Sequence, residues 1–415
     1  MITKKVFELA LHIESPWYIK EINFKEEAKT LDIYIDFKKG ATFFYEDTDK
    51  QIKGDFKAYD TTNKKWRHLN FFQYECYIHA RVPRIKLDNN SVKLIKTPWE
   101  GKSNGFTLLF EALVLQLVSN MTVFKVSKLI NVSDDKLWRL MEKYVDISLL
   151  ERDLENVKAI GLDETSRKKG HNYITLFVDL DKRKTIFITE GKSNKTIIDF
   201  KDDLEKHNGD ISKIKDVSCD MSPAFIKGVK ENMPNAEITF DKFHIIKIIN
   251  KAVDEVRRSE AKLESILKNS RYVVLKNREN LTKTQKSKLE ELMLSKLNLK
   301  TLRAYHIRET FQDIYKAETK EQFLILLKNW FFWATHSQLS PIKKAAYTIK
   351  THWDGVVRWK ESMINNGILE GLNSIIQAAK SKARGYSTTK NFKIIAYLLT
   401  GDLDFSTINK YYLPI

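Results

Sequence analysis

Two aspartates stand at the ends of short apolar segments. Asp163 follows AIGL (159–162) and Asp220 follows DVSC (216–219), and both segments read as buried strands. Aspartate is a poor strand residue and is costly to hold near a core. If the two strands belong to one sheet, we expect both carboxylates at one edge, close together. Like charges that close raise each other's pKa unless a cation neutralises them, so the pattern predicts a divalent cation site.

A third acidic residue, Glu370, lies near the start of a predicted helix, NNGILEGLNSIIQAAKSKARGY (365–386). Helical spacing separates a polar face, which Glu370 leads, from an apolar stripe predicted to face the core. The polar face holds Glu370, Asn373, Gln377 and Lys380, then Lys382 and Arg384, and the stripe holds Ile368, Leu372, Ile375, Ile376 and Ala379. Together, Asp163, Asp220 and Glu370 could hold two Mg²⁺ or Mn²⁺ ions about 3.5–4 Å apart. One ion would activate an attacking hydroxyl, and the other would stabilise the leaving oxygen of a phosphodiester.

Taken alone, three carboxylates are weak support for a catalytic site. The chain has 54 acidic residues, and four others also stand near predicted strand ends: Asp179, Asp181, Glu190 and Asp241. For each aspartate taken singly, a role in a turn or a helix cap explains the residue at least as well. The position of the three residues on one fold is what favours the catalytic interpretation.

The elements around the two aspartates predict an α/β fold with a mixed sheet. Three strand candidates come in quick succession: VKAIGLDE, NYITLFVDL and KTIFITEG. A helix at 194–207 follows, and then a strand, a helix and a strand: IKDVSCD, SPAFIKGVKENM and AEITFDKF. This order matches the ribonuclease H-like fold. From residue 244 to about 350 the pattern is helical, with 22 basic against 11 acidic side chains.

The N-terminal part predicts two further regions. Residues 1–98 are β-rich, with alternating apolar and polar side chains in LDIYIDF and HLNFFQYECYIHARVPRI. Residues 101–150 change to helical spacing, with a turn at 131–133 and a second helix capped by Ser133. This is the outline of a helix-turn-helix, whose second helix, with Lys136 and Arg139, could enter a DNA major groove. A plain helical hairpin fits the same pattern about as well.

The overall charge favours an anionic partner. The chain of 415 residues carries 71 basic and 54 acidic side chains, a net charge of +17, which points to nucleic acid. A membrane partner is disfavoured, because the longest apolar run (106–121) contains Glu111 and Gln116 and the N-terminus has no signal-peptide pattern. We expect a cytoplasmic protein. Cys76 and Cys219 match no metal-ligand spacing and are predicted to be buried as small apolar residues.

Three segments resemble the conserved blocks of bacterial insertion-sequence transposases of the ISL-three family. They are GLDETSRKKGHNYITLFVDL, CDMSPAFIKGVKENMPNAEITFDKFHIIKIINKAVDEVRR and the 365–386 helix, and similarity extends in consistent order from about residue 60 to 400. The resemblance implies a DDE catalytic site of Asp163, Asp220 and Glu370 in a ribonuclease H-like core at 155–243 and 352–400. It also implies a helical insertion at 244–351 and a site for two Mg²⁺ or Mn²⁺ ions. The implied partner is double-stranded DNA, both the ends of the element and the target. A homodimer would hold the paired ends, in the cytoplasm at the bacterial nucleoid.

The chain departs from this family at the N-terminus. Members begin with a cysteine-rich zinc module, and its flanking landmarks ARVPRI and PWE are present, but Leu87 and Asn90 stand roughly where ligands are expected. A four-ligand zinc site cannot be built from this segment, so we expect no zinc and a domain held by apolar packing. The departure supports an alternative function, a domesticated and catalytically silent DNA-binding protein.

Several further residues are candidates for contact with DNA. His244 matches a histidine of the family and lies beside Asp241, and structural hydrogen bonding explains it about as well as a phosphate contact. Arg167 and Lys168 belong to a basic segment, RKKGHN, after the Asp163 strand, for which a plain hairpin turn is an equal alternative. Lys380, Lys382 and Arg384 continue the Glu370 helix. Single surface cations are usually only solvated, so each of these assignments needs structural support.

Overall fold

The computed structural model describes residues 2–48, 50–168, 172–295, 297–364 and 367–413. The chain forms two compact units, one of residues 1–152 with 394–415 and the other of residues 153–393. Within the described ranges, no helix has both the length and the apolar character needed to cross a membrane.

The first unit begins with the predicted β-rich part. Its elements are α1 (Ile2–Ala10), β1 (Trp17–Lys25), β2 (Thr30–Phe37), β3 (Thr42–Asp47), β4 (Ile52–Lys57), β5 (Asp60–Arg67), β6 (Glu75–Lys86) and β7 (Val92–Leu94). The main sheet has the order β1-β2-β6-β5, with β7 paired to β6, and β3 and β4 form a separate hairpin. Leu87, at the expected position of a zinc ligand, is buried in the apolar core of this part with Trp66 and Ile78.

A helical segment completes this region as predicted. It consists of α2 (Leu108–Asn120), α3 (Val123–Ile130) and α4 (Asp134–Leu150). Asn131 ends α3 in the left-handed conformation, with φ of 53°, which an asparagine tolerates better than most residues. Ser133 precedes α4 as predicted, but its side chain makes no capping hydrogen bond. Lys136 and Arg139 are exposed on α4.

The second unit contains a five-stranded sheet. Its first elements are β8 (Ala159–Lys168), β9 (Asn172–Asp179), β10 (Lys184–Glu190), α5 (Asn194–Lys206), β11 (Asp216–Cys219), α6 (Pro223–Asn232) and β12 (Glu237–Phe240). The order is β10-β9-β8-β11-β12, with β8 to β10 antiparallel and β8, β11 and β12 parallel. The predicted succession of strands and helices is therefore confirmed.

Helices fill the rest of this unit. They are α7 (Lys242–Glu260), α8 (Arg271–Leu275), α9 (Lys283–Leu294), α10 (Lys300–Ile314), α11 (Lys320–His336), α12 (Ser340–Thr351), α13 (Trp353–Ser362) and α14 (Gly367–Lys382), and α15 (Thr389–Thr400) follows. Short 3₁₀ turns lie at Ile211–Lys213, Ser265–Leu267 and Arg278–Asn280. The helices from α7 to α12 share one buried apolar cluster with the sheet, which includes Val217 on β11 and Trp330 on α11.

The register of β8 and β11 explains the spacing of the two aspartates. Val217 pairs with Ile160 and Ser218 with Gly161, an offset of 57 residues in each case. The same offset separates Asp220 from Asp163, so the two residues stand at the same height on adjacent strands. Asp163 does not end its strand, however, and that prediction is wrong. Pairing with β9 extends β8 to Lys168, whereas β11 stops at Cys219.

Candidate functional site

A cavity of about 360 Å³ opens where β11 and β12 end beside β8. At this point β8 pairs antiparallel with β9 on one side and parallel with β11 on the other. Open α/β sheets commonly bind ligands at such a change in topology, outside the carboxyl ends of the parallel strands. The lining residues are Leu162, Asp163, Glu164, Asp220, Asp241, Phe243, His244, Leu369, Glu370, Asn373, Ser374 and Gln377. The structure therefore brings the three predicted acids to one cavity.

The carboxylate of Asp163 is held by two hydrogen bonds. The backbone N–H of Glu164 donates to Oδ1 at 2.8 Å, and Nδ2 of Asn373 donates to Oδ2 at 2.8 Å. Burial raises the pKa of Asp163 and the charge of Asp220 raises it further, while the two donors oppose this shift. A buried acid with another carboxylate nearby is electrostatically unfavourable until a cation or a proton neutralises it.

Asp220 and Glu370 reach the cavity from helix starts. Asp220 follows β11, and its Oδ1 accepts the backbone N–H of Ser222 at 2.9 Å in the turn before α6. Glu370 lies in the first turn of α14, where a carboxylate favours the positive end of the helix dipole. Glu370 is exposed, so its side chain is accessible from the cavity mouth.

The polar face of α14 packs along β8. Asn373 donates to Asp163, Gln377 donates to Oγ1 of Thr165, and Nζ of Lys380 donates to the carbonyl of Ser166 at 2.6 Å. Successive turns of the helix thus bind successive positions of the strand. Burial lowers the pKa of Lys380. The predicted contact of Lys380 with DNA stays a prediction, and one of the three ammonium donors of this lysine is engaged with the strand.

Arg167, also predicted to contact DNA, bonds main-chain carbonyls of its own unit. Its side chain is buried, and its Nη1 donates to the carbonyls of Tyr386 and Ser387 at 3.1 and 2.9 Å. The arginine therefore fastens the segment after α14 to β8. Lys168, Lys382 and Arg384 are exposed, as a contact with DNA requires. The rest of the predicted turn, residues 169–171, lies outside the described residues.

The predicted apolar stripe of α14 is partly wrong. Leu369, which the helical wheel left out, is buried against Val178 and Leu180, and Ile376 is fully buried. Ile375 is 46% exposed. The reason is that α14 turns its polar face to β8, and this contact rotates the helix away from the orientation that an apolar interface would give.

Glu164 is a site residue that the sequence reading did not identify. Burial raises its pKa, as do the charges of Asp220 and Asp163, while Lys192, with its Nζ 3.7 Å from Oε2, lowers it. Alternation along a regular strand points the side chains of neighbouring residues such as Asp163 and Glu164 to opposite faces. Both residues nevertheless line the cavity, because β11 ends at their level and leaves the sheet open there.

His244 and Asp241 form a pair at the start of α7. Nδ1 of His244 lies 2.9 Å from Oδ2 of Asp241, whose Oδ1 caps the helix by accepting the N–H of Phe243. The hydrogen bond to Asp241 raises the pKa of His244, and the charges of Asp241, Asp220 and Asp163 add to this effect. Asp179, another acid near a strand end, has a different role. Its carboxylate accepts the backbone N–H groups of Asp181 and Lys182 in a turn.

The donor groups of the cavity are of the kind that a divalent cation prefers. Asp163, Asp220, Glu164 and Glu370 offer hard oxygen ligands. Oδ1 of Asn373 is buried and has no hydrogen-bond partner among the described residues. Across those same residues, no group of three or more His, Cys, Asp or Glu side chains is close enough to hold an ion in the present arrangement. The oxygen donors of the site fit Mg²⁺ or Mn²⁺. To share an ion, these side chains must come closer to one another.

Neither cysteine is among the residues that line the cavity, although Cys219 directly precedes Asp220. Cys76 and Cys219 are free thiols and buried, as predicted. Burial raises the pKa of Cys76 to about 12 and that of Cys219 still further, so neither is a thiolate near neutral pH.

Comparisons with known proteins found matches along most of this chain. Residues 160–396 match a family model described as a transposase of the DDE type, and residues 95–145 match the helix-turn-helix domain of transposase family ISL3. The transposase for insertion sequence element IS1001 of Bordetella parapertussis is 26% identical over 347 residues, which are 81% of this chain and 84% of that protein. The transposase for IS1557 of Mycobacterium tuberculosis is 24% identical over 370 residues, 81% of each chain. Because the transposase model covers more than half of the chain, including every residue of the cavity, this chain belongs to the ISL3 (ISL-three) family of insertion-sequence transposases.

Proposed function

We propose that the chain is a DNA transposase that cleaves the ends of its own insertion sequence and joins the 3′-hydroxyl to target DNA. The observation that carries this proposal is the position of Asp163, Asp220 and Glu370 around one cavity. Asp163 on β8 and Asp220 directly after β11 stand at one height by the register of these parallel strands, and α14 delivers Glu370 to the same space. All three lie in the segment that matches the transposase family model.

Asp163, Asp220 and Glu370 would hold two divalent ions, Mg²⁺ or Mn²⁺. When bound, the ions would activate the attacking oxygen and stabilise the leaving oxygen of the phosphodiester. The chain itself supplies orientation. Two hydrogen bonds fix the carboxylate of Asp163, and the turn before α6 fixes that of Asp220. These contacts limit the orientations of the two carboxylates, and sharing an ion still requires the side chains to come closer together.

His244 would contact a phosphate of the DNA strand that enters the cavity. Its hydrogen bond to Asp241 holds the imidazole in one orientation and favours the protonated form. A protonated imidazole at the start of α7 would bind a phosphate oxygen by a charge-assisted hydrogen bond, reinforced by the positive end of the helix dipole.

We further propose that the sheet β10-β9-β8-β11-β12 and its helices are a ribonuclease H-like core at 155–243 and 352–400. The strand order, with three antiparallel strands followed by two parallel ones, supports this assignment. The helices between β12 and α13 would then be an insertion at 244–351. Residues 1–98 and 101–150 would be the β-rich and helix-turn-helix domains.

DNA is the partner implied by the helix-turn-helix and transposase segments. We propose that α4 enters the major groove with Lys136 and Arg139, which are both exposed, and that Lys168, Lys382 and Arg384 contact the backbone. Synapsis of two element ends would require a homodimer, and the nucleoid would be its place of action.

The alternative is a domesticated DNA-binding protein that keeps the fold without cleavage. The observation that favours it is the apolar environment of Leu87, where a zinc ligand is expected. An intact set of acids around the cavity favours the enzyme.

Cleavage of DNA that carries the sequences flanking this gene tests the proposal. We expect Mg²⁺- or Mn²⁺-dependent cuts at the repeat boundary by the wild type, and a loss of at least about 10³-fold in Asp163→Asn, Asp220→Asn and Glu370→Gln, with DNA binding retained. Asp181→Asn is the matched control, because Asp181 also stands near a strand end but belongs to the Asp179 turn. Binding without cuts by the wild type with either metal would support the domesticated alternative. Full cleavage by any one triad variant would remove that residue from the ligand set.

A further inference from the structure

Asn373 combines two features at the cavity. It lies almost one turn after Glu370 on α14, and its Nδ2 donates to Oδ2 of Asp163 at 2.8 Å. Asn373 lines the cavity, and its Oδ1 is buried and has no hydrogen-bond partner within the described part of the chain. A buried polar atom without a partner is uncommon in folded proteins and calls for an explanation.

The orientation of this amide follows from its neighbour. An ionised carboxylate can only accept hydrogen bonds, so Asn373 must present its NH₂ group to Asp163. The carbonyl oxygen consequently cannot turn to Asp163 for a partner. Asp163 in turn receives one donor on each oxygen, from Asn373 and from the backbone of Glu164, and this pair of contacts fixes the plane of its carboxylate.

Asn373 shares the cavity with acidic side chains, which cannot donate a hydrogen bond when they are ionised. A donor for its carbonyl oxygen must therefore come from another group. The cavity wall supplies carboxylates from Asp163, Glu164, Asp220 and Glu370. A water molecule coordinated to a divalent cation is a strong donor and fits between such groups. Residues that orient a ligating carboxylate or bind coordinated water contribute strongly to metal affinity.

We propose that Asn373 is a positioning residue that holds Asp163 in its cation-binding orientation and accepts a hydrogen bond from a water molecule carried by that cation. This inference rests on the proposed function, because it takes the cavity to be a divalent cation site. An aspartate at this position would lack the donor, and a leucine would lack both the donor and the acceptor.

Gln377 provides a matched control on the same helix. It lies one turn later, also lines the cavity and also donates from its side-chain amide to β8, but its partner is Oγ1 of Thr165 and not a carboxylate. Loss of either amide removes one helix-to-strand hydrogen bond. Only loss of Asn373 removes a contact to a proposed ligand.

The experiment measures Mn²⁺ affinity of the full chain by electron paramagnetic resonance, with site binding defined as the part lost in Asp220→Asn. We expect Asn373→Leu and Asn373→Ala to weaken site binding by about 10- to 100-fold. Gln377→Leu and Gln377→Ala should bind Mn²⁺ much as the wild type does. Urea unfolding of each variant separates lost affinity from lost folding, and if the leucine variant does not fold, the alanine variant decides.

The possible failures are distinguishable. Wild-type affinity in folded Asn373 variants, or equal losses in the Asn373 and Gln377 variants, would overturn the inference and leave the proposed function intact. Identical Mn²⁺ binding by wild type and Asp220→Asn would show that the cavity is not a cation site, and both proposals would then fail.

Discussion

At the scale of single residues, strand register is what makes Asp163 and Asp220 a pair. Their separation of 57 residues equals the offset between β8 and β11, so the register continued two residues past the last pair puts them at the same level. Apolar runs followed by aspartate were enough to predict this pairing. The continuation of β8 beyond Asp163 was not predictable, because it depends on pairing with β9, a contact that the local sequence does not encode.

The roles of Arg167 and Lys380 show another limit of prediction at this scale. Both are basic residues near the proposed metals, and that position suggested phosphate contacts. Within the protein they bond main-chain carbonyls about 220 and 214 positions away in the chain. A carbonyl partner leaves no mark in the sequence, since every residue carries one. Glu164 was missed for a related reason, because a strand end on β11 opens the sheet at its level.

The His244–Asp241 pair predicts a specific pH dependence of stability. The pKa of His244 is raised above its ordinary value of 6.5 in the folded state, chiefly by its hydrogen bond to Asp241. The pair therefore stabilises the fold fully below about pH 6.5 and loses this contribution as the pH rises through the folded pKa. In Asp241→Asn, which keeps an oxygen to cap α7, unfolding free energy should fall by about 0.5–1 kcal/mol at pH 5.5 and by much less at pH 9.

Urea unfolding at the two pH values measures this difference, and His244→Gln is the control background in which it should vanish. Asp163, Glu164, Asp220 and Glu370 also line the cavity, and their titration is common to both proteins in each comparison. A difference that stays constant from pH 5.5 to 9 would contradict the proposed ion pair.

At the scale of elements, the docking of α14 on β8 decides where Glu370 stands. The contact is polar along Asn373, Gln377 and Lys380, and it is apolar at Leu369, which packs over Gly161 beside the partly buried Ile368 and Leu372. The presence of α14 and the place of Glu370 in its first turn were predictable from the spacing of the residues. The face that meets the sheet was not, because amphipathic patterns assume that helices pack through apolar residues, and this helix also bonds the strand through amide and lysine side chains.

Gly161 gives a test of this docking. A Cβ at Gly161 would lie 2.8 and 2.9 Å from the methyl carbons of Leu369, closer than real contacts allow. Gly161→Ala should therefore destabilise the protein by about 1–3 kcal/mol and reduce cleavage by displacing α14. Leu369→Ala creates space at the same point, so the double variant should be more stable than the sum of the single effects by about 0.5–3 kcal/mol.

Urea unfolding of the two single variants and the double variant measures this coupling. Gly371→Ala is the control, since a Cβ there meets nothing within 4 Å and alanine favours a helix. Strictly additive single effects would show that Leu369 and Gly161 do not constrain each other.

At the scale of the whole molecule, charge and composition predicted the binding partner better than they predicted how the elements pack. A net charge of +17 and the helix-turn-helix outline indicated DNA, and the family comparisons agree. The helices after β12 were predicted from the loss of strand alternation. These helices share one apolar cluster with the sheet, and that packing was not predicted. The sequence shows that a helix has an apolar face, but it does not show which element covers that face.

The most direct test of the account is the location of Mn²⁺ in crystals of the full chain, by anomalous X-ray scattering. We predict two anomalous peaks in the cavity, contacted by the carboxylates of Asp163, Asp220 and Glu370, and their loss in Asp220→Ala. No anomalous signal in the cavity, at Mn²⁺ concentrations that support DNA cleavage, would contradict the account. Mn²⁺ ions bound only at sites that do not involve these three residues would also contradict it.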